Sequence, residues 1–182
     1  MPETSDLARE AILRIGVDPD NLGFVGLQVE LPPEFRNVLD PSWAYTSRRF
    51  EYVRGYEGTP HITLIYGLLF PADINRHLVD GVLANWHKPN LVVLPEVKAF
   101  HANDGDADYA AIVLSLGTNE WDLKKLKEAN DELRKLPHVN PFPVYDPHVT
   151  VGYVRNEFAH LAIERVKALE IRPLHTRGLE YT

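Results

Sequence analysis

The sequence predicts an α+β domain, with antiparallel strands, helices packed outside them, and two lobes related by a pseudo-twofold. Three observations lead there. Segments with strand-like alternation and segments with helical periodicity succeed one another along the chain, with hairpins among them. At 182 residues and 45% hydrophobic content, the chain can bury a real core as a single domain over residues 1–182. One five-residue phrase is written once in each half, Pro60-His61-Ile62-Thr63-Leu64 and Pro147-His148-Val149-Thr150-Val151. Each copy is followed at the same offset by a tyrosine, Tyr66 and Tyr153.

The elements follow in order. Leu7, Ala11, Ile12 and Ile15 fall at helical spacing, so Thr4–Ile15 reads as a short amphipathic helix appended to the domain. Gly23–Leu31 alternates as a strand and stops at Pro32-Pro33. Glu34–Gly58 is rich in aromatic and basic residues without clean periodicity. His61–Phe70 is an apolar strand, and Pro71 opens a helix to about Trp86, since the first helical turn has no N–H bond to lose. Leu91–Phe100 and Tyr109–Leu116 read as a hairpin. Thr118 or Asn119 then caps a helix to Leu136 whose buried side carries Trp121, Leu123, Leu126, Ala129 and Leu133. His148–Val154 is a strand, Glu157–Ala168 a helix, and Glu170–Tyr181 extended.

Composition narrows the function. The formal net charge is −7, which argues against an extended nucleic-acid surface, because such binding rests on many Lys and Arg contacts to phosphate. A short nucleotide in a local basic pocket is compatible with it. There are no cysteines, so disulfides, thiolate zinc sites and cysteine nucleophiles are excluded. Met1–Glu10 has neither the basic nor the apolar region of a signal peptide, and no run approaches the roughly 18 apolar residues of a membrane helix. A soluble, cytoplasmic protein without a membrane partner is expected.

The repeated phrase carries the chemistry. Residues two apart on a strand share a face, so His61 with Thr63, and His148 with Thr150, each present an imidazole and a hydroxyl together. By the same parity Tyr66 and Tyr153 fall on the opposite face, as core. Histidine titrates close enough to neutrality to give or take a proton, and a hydroxyl beside it can hold a phosphoryl oxygen. Two such pairs suffice to cleave an RNA-type phosphodiester without a metal or other cofactor. Symmetry leaves open which histidine is base and which acid.

At these residues the chain resembles the two-histidine (2H) phosphoesterase superfamily, whose hallmark is two H-x-[TS]-x phrases. His61-Ile62-Thr63-Leu64 and His148-Val149-Thr150-Val151 match both copies, and the general pattern extends from about Gly23 to Tyr181. The resemblance implies a bilobal 2H phosphoesterase-like fold with two antiparallel sheets around a central cleft. It also implies a phosphodiesterase among whose activities are opening 2′,3′-cyclic phosphates, processing 2′-5′ linkages and trimming RNA ends. One phage branch, the anti-CBASS nucleases, destroys cyclic oligonucleotide signals, and a small acidic chain with no appended RNA-binding module is similar to it. The expected partner is thus a small nucleotide, cyclic or 2′,3′-cyclic. The alternatives are an RNA-end processing or 2′-5′ RNA ligase-like enzyme, or a non-catalytic cyclic-nucleotide sponge or sensor.

Other candidates weigh less. A zinc site needs three or four ligands, and neither phrase contains a second His, Asp or Glu. The acidic run Asn103–Asp108 resembles a calcium loop but has Ser115 where the glutamate belongs, so a solvated hairpin turn is the better reading. In the stretch from Trp43 to Tyr56, Tyr45 is the candidate for stacking a base and Arg49 for meeting a phosphate. Glu180 and Tyr181 are candidates to close over the cleft, as the tail does in the anti-CBASS branch. The remaining histidines read as surface.

Overall fold

The computed structural model describes residues 22–45, 58–102, 108–139 and 144–182. The first alternating stretch becomes β1 (Gly23–Val29), which is followed by a single helical turn, α1 (Pro33–Arg36). The strand holding the first phrase is β2 (His61–Leu68), and α2 (Arg76–Val82) follows after a run of turns. The predicted Leu91–Phe100 strand is split into β3 (Leu91–Val92) and β4 (Glu96–Ala102). Next come β5 (Tyr109–Ser115), α3 (Glu120–Leu133), β6 (His148–Arg155) with the second phrase, α4 (Ala159–Lys167) and β7 (Leu174–Tyr181). The expected Thr4–Ile15 helix, Arg49 and most of the Asn103–Asp108 loop lie outside the described residues.

The split between β3 and β4 has a local cause. Asp122 Oδ2 accepts hydrogen bonds from Val93 N (2.9 Å) and Asn119 Nδ2 (2.7 Å), and Asn119 Nδ2 also donates to Val93 O (3.0 Å). The α3 N-terminus thus takes Val93 out of the ladder, and Pro95 has no N–H to restore it. β3 pairs with β7 instead of β5. The same network turns Asp122 inward, so the buried stripe of α3 is Asp122, Leu126, Ala129, Asn130 and Leu133. Trp121, expected inside, is 70% exposed with the Lys125 ammonium over its ring.

The strands order as one antiparallel sheet, β3-β7-β1-β2-β6-β5-β4, in place of the two sheets expected. Its halves are nonetheless distinct. β1 and β2 are registered from Gly23↔Leu68 to Gln28↔His61, and β5 and β6 from Tyr109↔Arg155 to Ser115↔His148. Between β2 and β6 the register is a single pair, Ile62↔Val149, the middle residues of the two phrases. Both are fully buried, on the face where α3 covers β2 and α4 covers β4–β6.

Each phrase is followed by the same irregularity. Val25 pairs with Ile65 but Gly26 with Thr63, so Leu64 is an extra residue. Likewise Ile112 pairs with Gly152 but Val113 with Thr150, making Val151 extra. These β-bulges flip the side-chain parity one residue after each threonine. Tyr66, expected in the core, is therefore 39% exposed on the histidine face, and Tyr153 is half-buried there. Gly67, at φ 100°, is a second bulge that returns Leu68 to the core.

A bulge takes carbonyls off the ladder, and buried carbonyls need other donors. Asn130 Nδ2, buried on α3, donates to Leu64 O at 2.6 Å, and Tyr145 Oη donates to Thr63 O at 3.2 Å from the chain leading into β6. Asn130→Ala leaves the Leu64 carbonyl buried without its donor. We expect a loss of about 1–3 kcal/mol in chemical denaturation, and a change below about 0.5 kcal/mol would refute this role.

Candidate active site

The antiparallel contact at Ile62↔Val149 brings the polar residues of both phrases to one face at the seam, His61 toward Thr150 and His148 toward Thr63. All four are half-buried while the residues between them are fully buried. The predicted grouping of His61, Thr63, His148 and Thr150 thus has a common location.

Both imidazoles are held in the same way. His61 Nδ1 lies 2.8 Å from the carbonyl of Thr59, and His148 Nδ1 lies 2.7 Å from the carbonyl of Asp146. A carbonyl only accepts, so Nδ1 carries the hydrogen in each ring and Nε2 is the nitrogen left for chemistry. The intervening proline fixes its own φ and keeps the residue before it extended, which aims that residue's carbonyl back at the ring. His138, in Leu136-Pro137-His138, makes the same contact at 2.8 Å but bridges Leu68 at the far end of β2. His87 makes the same contact with Asn85 O across Trp86, at 3.1 Å, so the lock is a local one that is shorter where proline intervenes. The seam selects which copies face one another.

Each ring also meets an aromatic edge-on. Phe24 lies 4.8 Å from His61 at 67°, and Phe100 lies 4.8 Å from His148 at 75°. Gly26 makes the first contact possible, since a Cβ there would stand 2.5 Å from the Phe24 ring and 3.3 Å from His61. Neither phenylalanine belongs to the repeated phrase, so nothing in the repeat pointed to them.

The charges around the two histidines differ. Glu180 faces Gly26, which faces Thr63, and its Oε2 lies 3.5 Å from His61 Nδ1, buried and without a hydrogen-bond partner among the described residues. At the matching position of the other half, Lys98 faces Val113, which faces Thr150. Lys98 pairs with Glu96 at 3.0 Å and lies 3.9 Å from Asp146. The hydrogen bond to Glu96 raises the Lys98 pKa, and the same bond lowers that of Glu96. Burial is the largest influence on His148 and lowers its pKa from the ordinary 6.5. Contacts with Asp146 oppose this, and the charges of His61 and Lys98 add to it.

The weaker candidates divide. Tyr45 packs on Tyr109 (4.8 Å), which packs on Tyr153 (5.9 Å), giving a tyrosine cluster on the histidine face beyond Thr150. Tyr181 faces Val25, on the opposite side of β7 from Glu180. Its hydroxyl donates to Asp80 at 2.8 Å, with Arg76 over the ring, and its pKa is pushed up to about 12 mainly by burial. It therefore anchors β7 to α2, on the opposite side of the strand from Glu180. Among the described residues, no three His, Asp or Glu side chains form a metal-ligand group, and no helix is long and apolar enough to cross a membrane.

Fold and site together define an α+β protein in which two His-x-Thr strands meet at the seam of one antiparallel sheet. No protein-family model matches the chain, and no curated protein does. Among solved structures, it is similar to Usb1 of Kluyveromyces marxianus, with a TM-score of 0.57 at 14% identity over 89% of this chain and 93% of that one. A structure of the same yeast protein with uridine monophosphate gives a TM-score of 0.50 at 15% identity, over 82% of this chain and 80% of that one. At these identities the likeness is one of fold.

The lowered His148 pKa makes a signed prediction. Above pH 6.5 this histidine is neutral in folded and unfolded chains alike. Below 6.5 the unfolded chain takes up the proton first, so stability falls from there down to the folded-state value. NMR titration should place the His148 midpoint below 6.5, and His148→Asn should remove that part of the acid-side stability loss. A midpoint at or above 6.5 would contradict the structure.

Proposed function

We infer that the protein is a metal-independent phosphodiesterase of the two-histidine type, acting on a small RNA-like nucleotide. The observation that carries this is the seam, where two imidazoles with Nδ1 held and Nε2 free share one face with two threonine hydroxyls. His148, with its pKa lowered, is neutral near pH 7 and takes the role of base. Its Nε2 removes the proton from a 2′-hydroxyl, whose oxygen bonds to phosphorus as the phosphorus–O5′ bond breaks. His61, protonated on Nε2, gives its proton to the departing O5′. Products are a 2′,3′-cyclic phosphate and a free 5′-hydroxyl. Thr63 and Thr150 donate to the non-bridging oxygens. Glu180 lies beside the ring that begins the reaction positively charged.

The uridine monophosphate held by a protein of similar fold supports a nucleotide substrate. A 3′-5′-linked cyclic oligonucleotide presents this reacting group. A 2′-5′ linkage would be attacked by its free 3′-hydroxyl instead. A 2′,3′-cyclic phosphate, with neither hydroxyl free, would be attacked by a water that gives its proton to the base as the ring P–O bond breaks and the acid protonates the released oxygen. Cyclic oligonucleotides remain the substrate by which an anti-CBASS role would be recognised. A sponge or sensor has no use for two free Nε2 atoms.

The test is turnover of a panel containing cyclic di- and trinucleotides, 2′-5′ and 3′-5′ dimers and 2′,3′-cyclic phosphates, with EDTA present. Each single substitution, His61→Ala or His148→Ala, should lower kcat by about 10²–10⁴-fold, and an all-deoxy analogue should resist cleavage. An aryl phosphodiester that leaves without a proton should restore much of the rate to His61→Ala but not to His148→Ala. The reverse pattern would exchange the roles, and EDTA-sensitive turnover would sink the mechanism.

A further inference from the structure

A cavity of about 430 Å³ adjoins the site at the His61 end of the cleft. Its wall includes Gln28, which faces His61 across the β1–β2 ladder, and Thr59-Pro60, which hold the His61 ring. Two guanidiniums line it, Arg36 on α1 and Arg177 on β7, together with the carboxylate of Glu30. A fourth bulge delivers the second of these guanidiniums. Leu27 pairs with Leu179 but Val29 with Thr176, so Gln28 faces both Arg177 and Gly178, and Arg177 is re-aimed at the cavity rim.

Three features mark this as a binding site in use with the catalytic one. It falls within the roughly 300–1,000 Å³ of small-molecule pockets. Among the described residues Arg36 makes no ion pair and the Gln28 amide makes no hydrogen bond, while Arg177 has only Glu30 at 2.7 Å. A protein of net charge −7 thus sets two guanidiniums, one of them paired with Glu30, beside the site proposed for a phosphodiester, and guanidinium is the side chain best shaped for phosphate.

We propose that this cavity is the subsite for the nucleotide on the leaving side of the scissile bond, with Arg36 and Arg177 receiving that nucleotide's next phosphate. The proposal rests on the phosphodiesterase reading above, in which His61 protonates the leaving oxygen and the leaving nucleotide extends past it. It also names the substrate class. A 2′,3′-cyclic mononucleotide has nothing to place there, whereas an oligonucleotide, linear or cyclic, has both a nucleoside and a phosphate.

The experiment compares a dinucleoside monophosphate with the same dimer carrying a 3′-terminal phosphate. The wild-type protein should favour the phosphorylated dimer by roughly tenfold in kcat/KM, the scale of a charge-assisted contact. The Arg36→Gln, Arg177→Gln double variant should bring the two toward parity. Parity in the wild-type protein, or an unchanged preference in the variant, overturns the subsite. Calorimetric binding of the same pair lacking the attacking 2′-hydroxyl separates this from the catalytic reading. An arginine-dependent gain from the terminal phosphate without any turnover would keep the subsite and refute the phosphodiesterase. Binding that ignores the arginines would refute the subsite alone. Both arginines are exposed, so circular dichroism of the variant is expected to match the wild type.

Discussion

Everything at this site depends on one backbone contact, Ile62 against Val149. A full ladder between β2 and β6 would extend the sheet evenly. A single registered pair flanked by two bulges joins the halves while increasing the local twist. The contact is anchored from the helix side by two fully buried side chains and reinforced by Asn130 and Tyr145, whose polar groups take the carbonyls released beside it. Because the strands are antiparallel and the contact falls on the middle residue of each phrase, the flanking histidines and threonines must emerge together on the other face. A register shift of one residue would bury those polar groups among the helices and expose Ile62 and Val149.

Much of this was legible in the sequence, and the limits have physical causes. Period-two alternation located β1, β2, β5 and β6, and it paired each histidine with its threonine. It failed for Tyr66 and Tyr153, because parity holds only until a bulge, and the extra residues, Leu64 and Val151, are neither glycine nor proline to signal one. Leu91–Phe100 read as one strand because the residue that breaks it, Asp122, lies on a helix about thirty positions away. Phe24, Gly26, Phe100 and Lys98 reach the site only through register across two or three strands. Tyr181 parts from Glu180 for a related reason. It adjoins Glu180 in sequence, and adjacent strand residues face opposite ways.

The shared proline illustrates how local and tertiary causes divide. Three x-Pro-His tripeptides hold Nδ1 against the carbonyl two residues back, at nearly equal distances. The contact is local to each histidine, and it is shorter across proline than across Trp86, where His87 Nδ1 lies 3.1 Å from Asn85 O. What the fold adds is placement, since His138 has the same lock but no threonine partner at the seam. Preparing the tautomer locally matters for proton transfer. A ring free to choose its protonated nitrogen would spend part of its time with the wrong one facing the substrate.

A pseudo-twofold scaffold has one further problem, because proton transfer in opposite senses needs two unlike groups, while a true twofold would make them identical. The difference is introduced one layer out, at positions related by the same register. Glu180 stands across Gly26 from Thr63, and Lys98 across Val113 from Thr150. The phrases themselves can then stay the same, each with its lock, hydroxyl and buried middle residue, while the neighbouring strands set them apart electrostatically. Burial, with the charges of His61 and Lys98, lowers the His148 pKa, and the carboxylate of Glu180 lies beside the other ring, where the proposed mechanism calls for a proton donor. The cavity with Arg36 and Arg177 opens at that same end. In the proposed mechanism and subsite, direction in the chemistry and direction in the substrate would thus both come from one break in symmetry, carried by the strands that flank the repeat.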